Sequence, residues 1–430
     1  MRLICLSCLT CHSDWRLGPP AGARDIPPFT GAASVLPVHA TNTLVTGGKW
    51  RVRLGDSRGV KHTAAVSQLR SLANAGLPPE SFIPAVLEAL HDVIPSDRNL
   101  FDWTDRGGQL VRYFFEGPID YEITQHYFEK FHNALESEAM TSFREAVTGR
   151  ATVLGADQLD HPKFFNSALY NEIWKPQHLK TRIEAIIRRP DATPVGSLVL
   201  YRGPGDKKFT RAEEHLLESL VPYIARGVLA VPTQLDETFA ALPTSDAFAC
   251  LSLDGEVTHF SDNAHRLLLL AHGEVTPIAA STPPDTKSFP ALGTVWRQWR
   301  SQGGGSALCT LDLRNCWGQF IFEARNLKGS GPKPVAQLHV SIRHHELEAV
   351  AIRRAIAAFD LTPAQAHVCR LLHTAHSQVA IASILKVAPS TVTDHVRKIY
   401  DRLDVHSVTE LVALVNRRAQ QLASRQRQRG

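Results

Sequence analysis

The sequence contains no apolar run of about 18 residues, the length that would indicate a transmembrane helix. It is also poor in cysteine: 430 residues contain 7 cysteines, too few and too scattered for a disulfide framework. Cys250, Cys309, Cys316 and Cys369 lie in apolar surroundings, which predicts buried thiols. We therefore expect a cytoplasmic protein that does not contact a membrane.

The positive charge is concentrated near the C-terminus. The formal net charge is +5, but residues 343–430 contain 13 Lys and Arg against 7 Asp and Glu, a net of +6, so residues 1–342 sum to −1. A basic segment in an otherwise neutral chain is the footprint expected for contact with a phosphate backbone.

The stretch 361–415 has the pattern of four short helices joined by tight turns. Thr362 and Gln365 predict a capping box with Pro363 in the first helical turn, and Ser377 and Ser407 precede the second and fourth helices as caps. The fourth helix is predicted to end near Arg417 and Arg418. The third helix, 389–403, has one apolar face, formed by Val392, Val396, Ile399 and Leu403. A short helix, a tight turn and a second helix with one apolar face and one polar, basic face have the helix-turn-helix plan.

This stretch resembles the LuxR-type (GerE-type) DNA-binding domain of bacterial transcription regulators. The residues that carry the resemblance are Leu361-Thr362-Pro363, Leu371-Leu372, Ser377, Ile381-Ala382, Leu385, Val387, Thr391-Val392, His395-Val396, Ile399, Leu403, Val405 and Thr409-Glu410-Leu411. The chain departs from the family where glycines are usual, at Ala375, Lys386 and Asp404, and where a serine N-cap is usual, at Ala388. The charged residues usual on the second helix are replaced by Val379, Ala380 and Ile384.

The resemblance implies that helix 389–403 reads double-stranded DNA in the major groove and that the fourth helix forms a homodimer. It also allows a contact with RNA polymerase. The residues expected to contact DNA are Lys386, Ser390, Thr391, Thr393, Asp394, Arg397, Lys398 and Arg402, with Lys386, Lys398 and Arg402 on phosphates. A receiver domain, which often precedes such domains, needs paired acids, a central Asp and a later Lys in β/α units, and residues 1–342 lack that order.

Residues 61–235 predict an α+β module. Helices are expected over 81–93, 121–134, 164–174 and 209–229, and strands over 98–103, 110–115, 182–188 and 196–202. The order resembles a GAF-like sensor domain, especially at 167–172 and 198–202. A small-molecule ligand in such a module would contact aromatic side chains, for which the candidates are Phe115, Tyr127, Phe131, Tyr170 and Trp174. A place in the ordinary hydrophobic core is the alternative for each of them.

Residues 236–345 predict a second α+β module. A hairpin with the turn Asp254-Gly255 is followed by a helix from Ala264, capped by Ser261 to Asn263, and then by strands over 307–313, 318–324 and 334–342. This order resembles a PAS-like domain. It is the second module in which a small-molecule ligand could be expected to bind. The pattern predicts neither a cofactor nor a metal.

The N-terminal 60 residues have two short motifs that predict other classes of protein. Cys5, Cys8, Cys11 and His12 match spacings used for haem attachment or metal binding, and Gly55 to Gly59 match the G-x-S-x-G elbow of hydrolases. A hydrolase or a metal or haem enzyme is therefore the alternative function. A sensor that binds a partner protein is a third. The poor context of both motifs favours a disordered leader over residues 1–60 and no catalytic residues.

The predicted organisation is a leader over 1–60, a GAF-like module over 61–235, a PAS-like module over 236–345, a helix-turn-helix domain over 346–420 and a basic tail over 421–430. The fold class is α+β for the two N-terminal modules and all-α for the four-helix C-terminal domain. The leading hypothesis is a DNA-binding transcription regulator controlled by its N-terminal modules.

Overall fold

A computed structural model describes residues 57–231, 237–273, 275–302, 308–327 and 337–429. Within these ranges the chain forms two five-stranded antiparallel sheets with helices packed on them, followed by a helical C-terminal region. This confirms the predicted fold class. The motif of Cys5, Cys8, Cys11 and His12, the first two residues of the Gly55–Gly59 motif and most of the predicted leader lie outside the described residues.

The first sheet has the strand order β2-β1-β5-β4-β3. Its strands are β1 Arg98–Thr104, β2 Leu110–Phe115, β3 Val153–Leu154, β4 Thr181–Arg188 and β5 Pro194–Arg202. The central strand β5 is buried along its whole length, so both faces of the sheet are covered. On β5, Leu198 and Leu200 belong to the core on one face, whereas Val199 and Tyr201 belong to the core on the other, as strand alternation requires.

Three helices cover the first of these faces: α1 Ser57–Ala73, α2 Pro79–Leu90 and α7 Arg211–Val228. The predicted capping box of α7 is confirmed, with Thr210 and Glu213 bonded reciprocally. The segment that covers the opposite face is built from short pieces. These are α3 Tyr121–His126, a π-helical turn Tyr127–Leu135, α4 Glu136–Ala139, α5 Phe143–Thr148, a 3-10 turn Ala156–Gln158, α6 Pro162–Phe165 and a π-helical turn Leu169–Trp174.

The two aromatic helices predicted for this segment are not continuous. The predicted helix 121–134 breaks at His132 to Ala134, where Asn133 has a φ of 53° and Glu136 accepts a hydrogen bond from the Asn133 N–H at 2.9 Å. The predicted helix 164–174 breaks around Ser167, whose hydroxyl donates to the Phe164 carbonyl at 2.6 Å and accepts from the Tyr170 N–H at 3.1 Å. In both cases a side chain takes over backbone groups that a continuous helix would pair.

The second sheet has the order β7-β6-β10-β9-β8. Its strands are β6 Ser245–Leu251, β7 Val257–Phe260, β8 Cys309–Asn315, β9 Gly318–Leu327 and β10 Gln337–His345; its helices are α8 Ala264–His272, α9 Pro277–Ala280 and α10 Pro290–Ser301. The predicted hairpin is confirmed, and Gly255 in its turn has a φ of +89°. Two details of the prediction are wrong. The Asn263 side chain does not cap α8 but donates to the Ser245 hydroxyl at 2.6 Å, and Cys316 is half-buried.

The two sheets share one hydrophobic core. Trp317, in the turn between β8 and β9, stacks on Phe114 of β2 with 5.7 Å between the ring centroids and contacts Trp103 of β1 edge-on at 6.4 Å. The Tyr113 N–H donates to the Val275 carbonyl at 3.0 Å. Rings and a backbone hydrogen bond therefore join the two modules directly.

The C-terminal region contains five helices: α11 Glu348–Ala357, α12 Pro363–His373, α13 Gln378–Leu385, α14 Pro389–Leu403 and α15 Val408–Arg429. The prediction that the last helix ends near Arg417 and Arg418 is wrong, and most of the predicted tail is helical. The helix continues because Ala419, Leu422 and Ala423 are buried, and burial of an apolar face stabilises a helix more than local propensity does.

Helix α11 connects the C-terminal domain to the first module. The Arg353 guanidinium donates to the carbonyls of Ala75 and Gly76 at 3.1 and 2.6 Å, just after α1. The neighbouring Arg354 is buried and pairs with Glu346 at 2.9 Å. In the described part of the chain no helix is long and apolar enough to cross a membrane, and no group of three or more His, Cys, Asp or Glu side chains could hold a metal ion.

Candidate nucleic-acid interface and ligand cavity

Helices α12 to α15 pack around one small core that includes Val368, Ile381, Val392, Ile399 and Leu411. The predicted caps are present. Thr362 and Gln365 form a capping box, the Ser377 hydroxyl accepts from the Ala380 N–H at 3.2 Å, and the Ser407 hydroxyl accepts from the Glu410 N–H at 3.1 Å. Each cap satisfies backbone donors that the first helical turn leaves unpaired. The short helix α13, the turn 386–388 and α14 thus form the predicted helix-turn-helix.

The three positions where glycine is usual in the resembled family all have a left-handed backbone here. The φ angles of Ala375, Lys386 and Asp404 are 61°, 53° and 52°. Lys386 and Asp404 are the residues that end α13 and α14. A left-handed residue after the last helical turn lets its N–H reach a carbonyl of the helix, which is why glycine is common there. Ala388 gives α14 no side-chain cap.

Helix α14 has one buried and one exposed face. Val392, Val396 and Ile399 are buried, whereas the residues predicted to contact DNA are exposed. The exposed residues are Ser390, Thr391, Thr393, Asp394, Arg397, Lys398 and Arg402, together with Lys386 in the preceding turn. The arrangement holds a row of hydroxyl, carboxylate and cationic groups toward solvent on a rigid helix, as major-groove recognition requires.

Several of these side chains are held by neighbours. The Thr393 hydroxyl lies 3.2 Å from Gln378 Oε1, which joins the exposed face of α14 to the start of α13. Arg397 pairs with Asp394 one turn earlier at 3.3 Å. Gln378 was not predicted as part of this surface; its position at the first residue of a capped helix next to the turn was the available signal.

Arg402 differs from the other predicted phosphate contacts because it is already engaged. Its guanidinium hydrogen-bonds to the Asp360 carbonyl oxygen and lies 3.8 Å from the Asp360 carboxylate. Asp360 in turn accepts a hydrogen bond from the Ser67 hydroxyl of α1 at 2.9 Å. Arg402 therefore links the recognition helix to the first module through Asp360, and it would have to exchange these partners to bind a phosphate.

A second feature is a cavity of about 140 Å³, partly open to solvent, between the first sheet and the segment that covers it. Three of the five predicted ligand contacts line it: Phe115, Tyr127 and Trp174. The other two pack beside it. Phe131 is buried with the His126 ring edge-on at 5.4 Å, and Tyr170 packs on Phe164 and Phe165.

Charged side chains from separate strands also line the cavity. Asp102 lies on β1, and Arg182 and Glu184 on β4, where they form an ion pair at 2.8 Å. Glu136 accepts hydrogen bonds from the Tyr127 hydroxyl at 2.9 Å and from the Phe143 N–H at 2.8 Å. All three carboxylates are buried. Burial is the main cause that raises the pKa of the Asp102 carboxyl well above its usual range, and the negative charge of Glu184 is the second cause.

The prediction from the sequence named only aromatic side chains for this site and missed its charged residues. The available signal was a charge within strands that are otherwise apolar, as in Phe101-Asp102-Trp103 and Arg182-Ile183-Glu184. Charged side chains are rarely buried unless they are paired, so such positions in a central sheet indicate a polar cavity.

Comparison with solved structures returns several similar chains. A phage VqmA in complex with DPO is 19% identical over 39% of this chain and 79% of that chain, with a TM-score of 0.18. The Vibrio cholerae VqmA–ligand–DNA complex is 15% identical over 40% and 83%, with a TM-score of 0.23. The Escherichia coli DhaR(N)–DhaL complex is 14% identical over 69% and 93%, with a TM-score of 0.22.

Comparison of the sequence with curated proteins returns no match. Comparison with protein families gives a specific result for one segment: residues 360–415 match the family described as bacterial regulatory proteins, luxR family. The matched segment begins just before α12, contains all of α13 and α14, and ends within α15. Residues 360–415 are therefore a LuxR-type helix-turn-helix domain, the kind of domain found in bacterial regulatory proteins of that family.

Proposed function

We propose that the protein regulates transcription in the cytoplasm by placing α14 in the major groove of double-stranded DNA. The observation that carries this proposal is the uncovered polar face of α14 within the matched domain. In this orientation Ser390, Thr391 and Thr393 near the start of the helix face base edges, and Arg397 offers two donors to a guanine. Asp394 accepts a hydrogen bond from a cytosine amino group and disfavours other bases.

Lys386 and Lys398 contact the phosphates on either side of the groove, and Arg402 joins them when it leaves Asp360. Phosphate contacts set the register and most of the affinity, whereas base contacts set the sequence. The active unit is a homodimer on a two-fold symmetric site. Residues such as Thr409, Ala413 and Asn416 on the exposed face of α15 form its interface; a contact of the same domain with RNA polymerase is compatible with this arrangement.

The two N-terminal modules, 61–235 and 236–345, act as GAF-like and PAS-like control modules. A ligand enters the cavity beside the first sheet and contacts Phe115, Tyr127 and Trp174. Because α1, on the opposite face of the same sheet, contacts Asp360 and α11, a ligand that prefers one arrangement of this module shifts the population of DNA-competent molecules.

Salt dependence of DNA binding by the full chain tests the DNA part of this proposal. With about six phosphate contacts, affinity for a selected site should fall roughly 10³-fold between 50 and 200 mM salt. Lys398→Ala should reduce the slope of log affinity against log salt by about 1, because one fewer counterion is released. Fluorescence anisotropy on labelled duplexes measures both.

The matched control is Lys207→Ala, which removes an exposed lysine from the first module, away from α14, and should leave the slope unchanged. Equal slopes for the parent and Lys398→Ala would contradict a phosphate contact at Lys398. Affinity that does not depend on salt at all would contradict the proposed mode of binding.

A further inference from the structure

We propose that the cavity beside the first sheet binds a small organic ammonium ion, with Asp102 as its counter-ion and the surrounding rings as its walls. This inference rests on the proposed role of the cavity in ligand control and adds the chemical class of the ligand. The argument uses the partners of each buried charge, the composition of the walls and the size of the cavity.

The charges that line the cavity do not balance among themselves. Glu136 is satisfied by three donors: the Tyr127 hydroxyl and the N–H groups of Asn133 and Phe143. Glu184 is paired with the Arg182 guanidinium at 2.8 Å. Two of the three buried carboxylates thus have hydrogen-bond donors or a cation within contact distance.

Asp102 does not have such a partner. Its one hydrogen bond within the described part of the chain comes from the Ser197 hydroxyl at 3.3 Å. Arg182 attracts the Asp102 carboxylate electrostatically, but its ion pair in that part of the chain is with Glu184 and not with Asp102. Asp102 is 7% exposed and lies on the face of β1 that borders the cavity. A buried carboxylate without a cation is unfavourable unless it is protonated or a cation is brought to it. The raised pKa of Asp102 agrees with a protonated carboxyl when the cavity is empty.

The walls favour a cation over a neutral donor. Six aromatic side chains border the same space: Tyr113, Phe115, Tyr127, Phe128, Trp174 and Tyr201. Tyr127 and Phe128 meet edge-on with 5.1 Å between centroids, and Phe128 lies 6.1 Å from Tyr113, so three of the rings form one corner. Aromatic faces attract cations through their quadrupoles, and a group of rings is the usual binding site for alkylammonium groups. A carboxylate within such rings adds a direct ionic partner.

The size of the cavity limits the ligand. Its volume of about 140 Å³ lies below the ~300–1,000 Å³ typical of sites for drug-sized ligands. The ligand is therefore a small amine with a compact apolar or aromatic body, held with its ammonium group toward Asp102. Binding would replace the proton on Asp102 by the ammonium group, so the charge on the carboxylate appears only when the cation is present.

Titration calorimetry on the full chain with three probes of similar shape tests the charge class. The probes are 2-phenylethylammonium, 2-phenylethanol and 3-phenylpropanoate. We expect the ammonium ion to bind at least 10-fold more tightly than the alcohol and the carboxylate. Asp102→Asn keeps the shape of the side chain and an acceptor for Ser197 but removes the charge, and it should abolish that preference while binding of the alcohol stays within about 2-fold.

The matched control is Asp262→Asn, which removes an exposed carboxylate from the second module and should keep the full preference. Phe128→Leu is a second variant in which Asp102 is unchanged. It keeps an apolar side chain but removes a ring, so it should weaken ammonium binding about 3-fold or more and leave the alcohol unaffected.

The outcomes separate this inference from the proposed function. If the alcohol or the carboxylate binds as tightly as the ammonium ion, the charge class is wrong, while the cavity remains a ligand site. If none of the probes binds, both the inference and the proposed ligand site are overturned. DNA binding measured on the same preparation tests the regulator function separately. A full ammonium preference in folded Asp102→Asn would overturn the role of Asp102.

Discussion

Ala375, Lys386 and Asp404 each hold a backbone conformation that costs an L-residue energy. Their φ angles lie between 52° and 61°, in the left-handed region, where the Cβ atom crowds the following carbonyl oxygen. Asp can compensate through local hydrogen bonds of its side chain, but alanine has no such group. Packing of the surrounding helices therefore stabilises the left-handed conformation of these turns, which the turn residues themselves disfavour.

Ala375→Gly should raise the free energy of unfolding by about 0.5–1 kcal/mol, because glycine adopts the left-handed region without a Cβ contact. Thermal and urea unfolding of the full chain measure the change. Gln420→Gly is the control: glycine at an exposed position inside α15, beyond the proposed dimer interface, should lower stability by roughly 0.5–1 kcal/mol. A loss of stability in Ala375→Gly would show that the alanine methyl group contributes more than its backbone strain costs.

At the scale of elements, His344 of β10 joins the segment just before β6 to the turn between β8 and β9. Its Nε2–H donates to the carbonyl of Trp317 at 2.8 Å, its Nδ1 lies 3.1 Å from the Thr244 hydroxyl, and its ring stacks on Phe320 at 4.6 Å. Burial lowers the pKa of His344 to about 4, and the hydrogen bond to Trp317 opposes this only in part. The neutral imidazole thus fixes the turn whose tryptophan reaches the first sheet.

This pKa predicts how stability depends on pH. The unfolded imidazole titrates near 6.5 and the folded one near 4, so the contribution of His344 is complete above 6.5 and is lost as the pH falls toward 4. One pKa unit corresponds to ~1.4 kcal/mol, and solvent screens part of the interaction that shifts the pKa. The free energy of unfolding should therefore fall by about 2 kcal/mol. Urea unfolding between pH 4.5 and 7 measures it.

His344→Gln should reduce the slope of this pH profile, to which the buried His265 and His272 also contribute because burial lowers their pKa values. His259→Gln, which changes an exposed histidine on β7, should leave the slope unchanged. A parent profile and a His344→Gln profile with the same slope would assign the acid sensitivity to other groups.

Local features of these elements could be predicted from the sequence, and features set by distant contacts could not. The caps at Thr362, Ser377 and Ser407 depend on residues within one turn of each other, so their spacing was sufficient. The breaks near Asn133 and Ser167 were missed because the aromatic pattern continues across them while Glu136 and Ser167 take over the backbone groups.

The same contrast between local and distant contacts explains which part of each candidate site could be predicted from the sequence. The exposed face of α14 is a property of one helix and follows from its periodicity. The charges of the cavity come from β1, β4 and the segment around Glu136, which the sheet order brings together from positions up to about eighty residues apart. No spacing along the chain indicates that Asp102 and Glu184 face the same space.

At the scale of the molecule, the N-terminal modules and the DNA-binding domain are joined by specific polar contacts as well as by apolar packing. Arg353 is the clearest example, because its buried guanidinium is bonded to two carbonyls at the end of α1. The contact from Ser67 to Asp360 and that from Asp360 to Arg402 form a second path to α14. These contacts form a continuous chain of polar groups from α1 to α14.

Arg353→Ala should loosen this junction without unfolding the DNA-binding core. The loss of two charge-assisted hydrogen bonds should cost about 2–3 kcal/mol. Hydrogen exchange followed by mass spectrometry should show faster exchange over 70–76 and 348–357 and unchanged exchange over 389–403. Arg425→Ala, an exposed position on α15, is the control and should change none of these. Unchanged exchange in α11 would show that apolar packing alone holds the junction.

The length of α15 has a mechanical consequence. Its 22 residues span about 33 Å, from the recognition domain to the second module, where Arg427 donates to the Pro243 carbonyl at 2.7 Å. A rigid rod of that length, turned by about 10° at one end, moves its other end by roughly 6 Å, more than the ~3.4 Å between successive base pairs. In the proposed homodimer, a tilt of this size would therefore change the number of base pairs between the two half-sites that the dimer can reach.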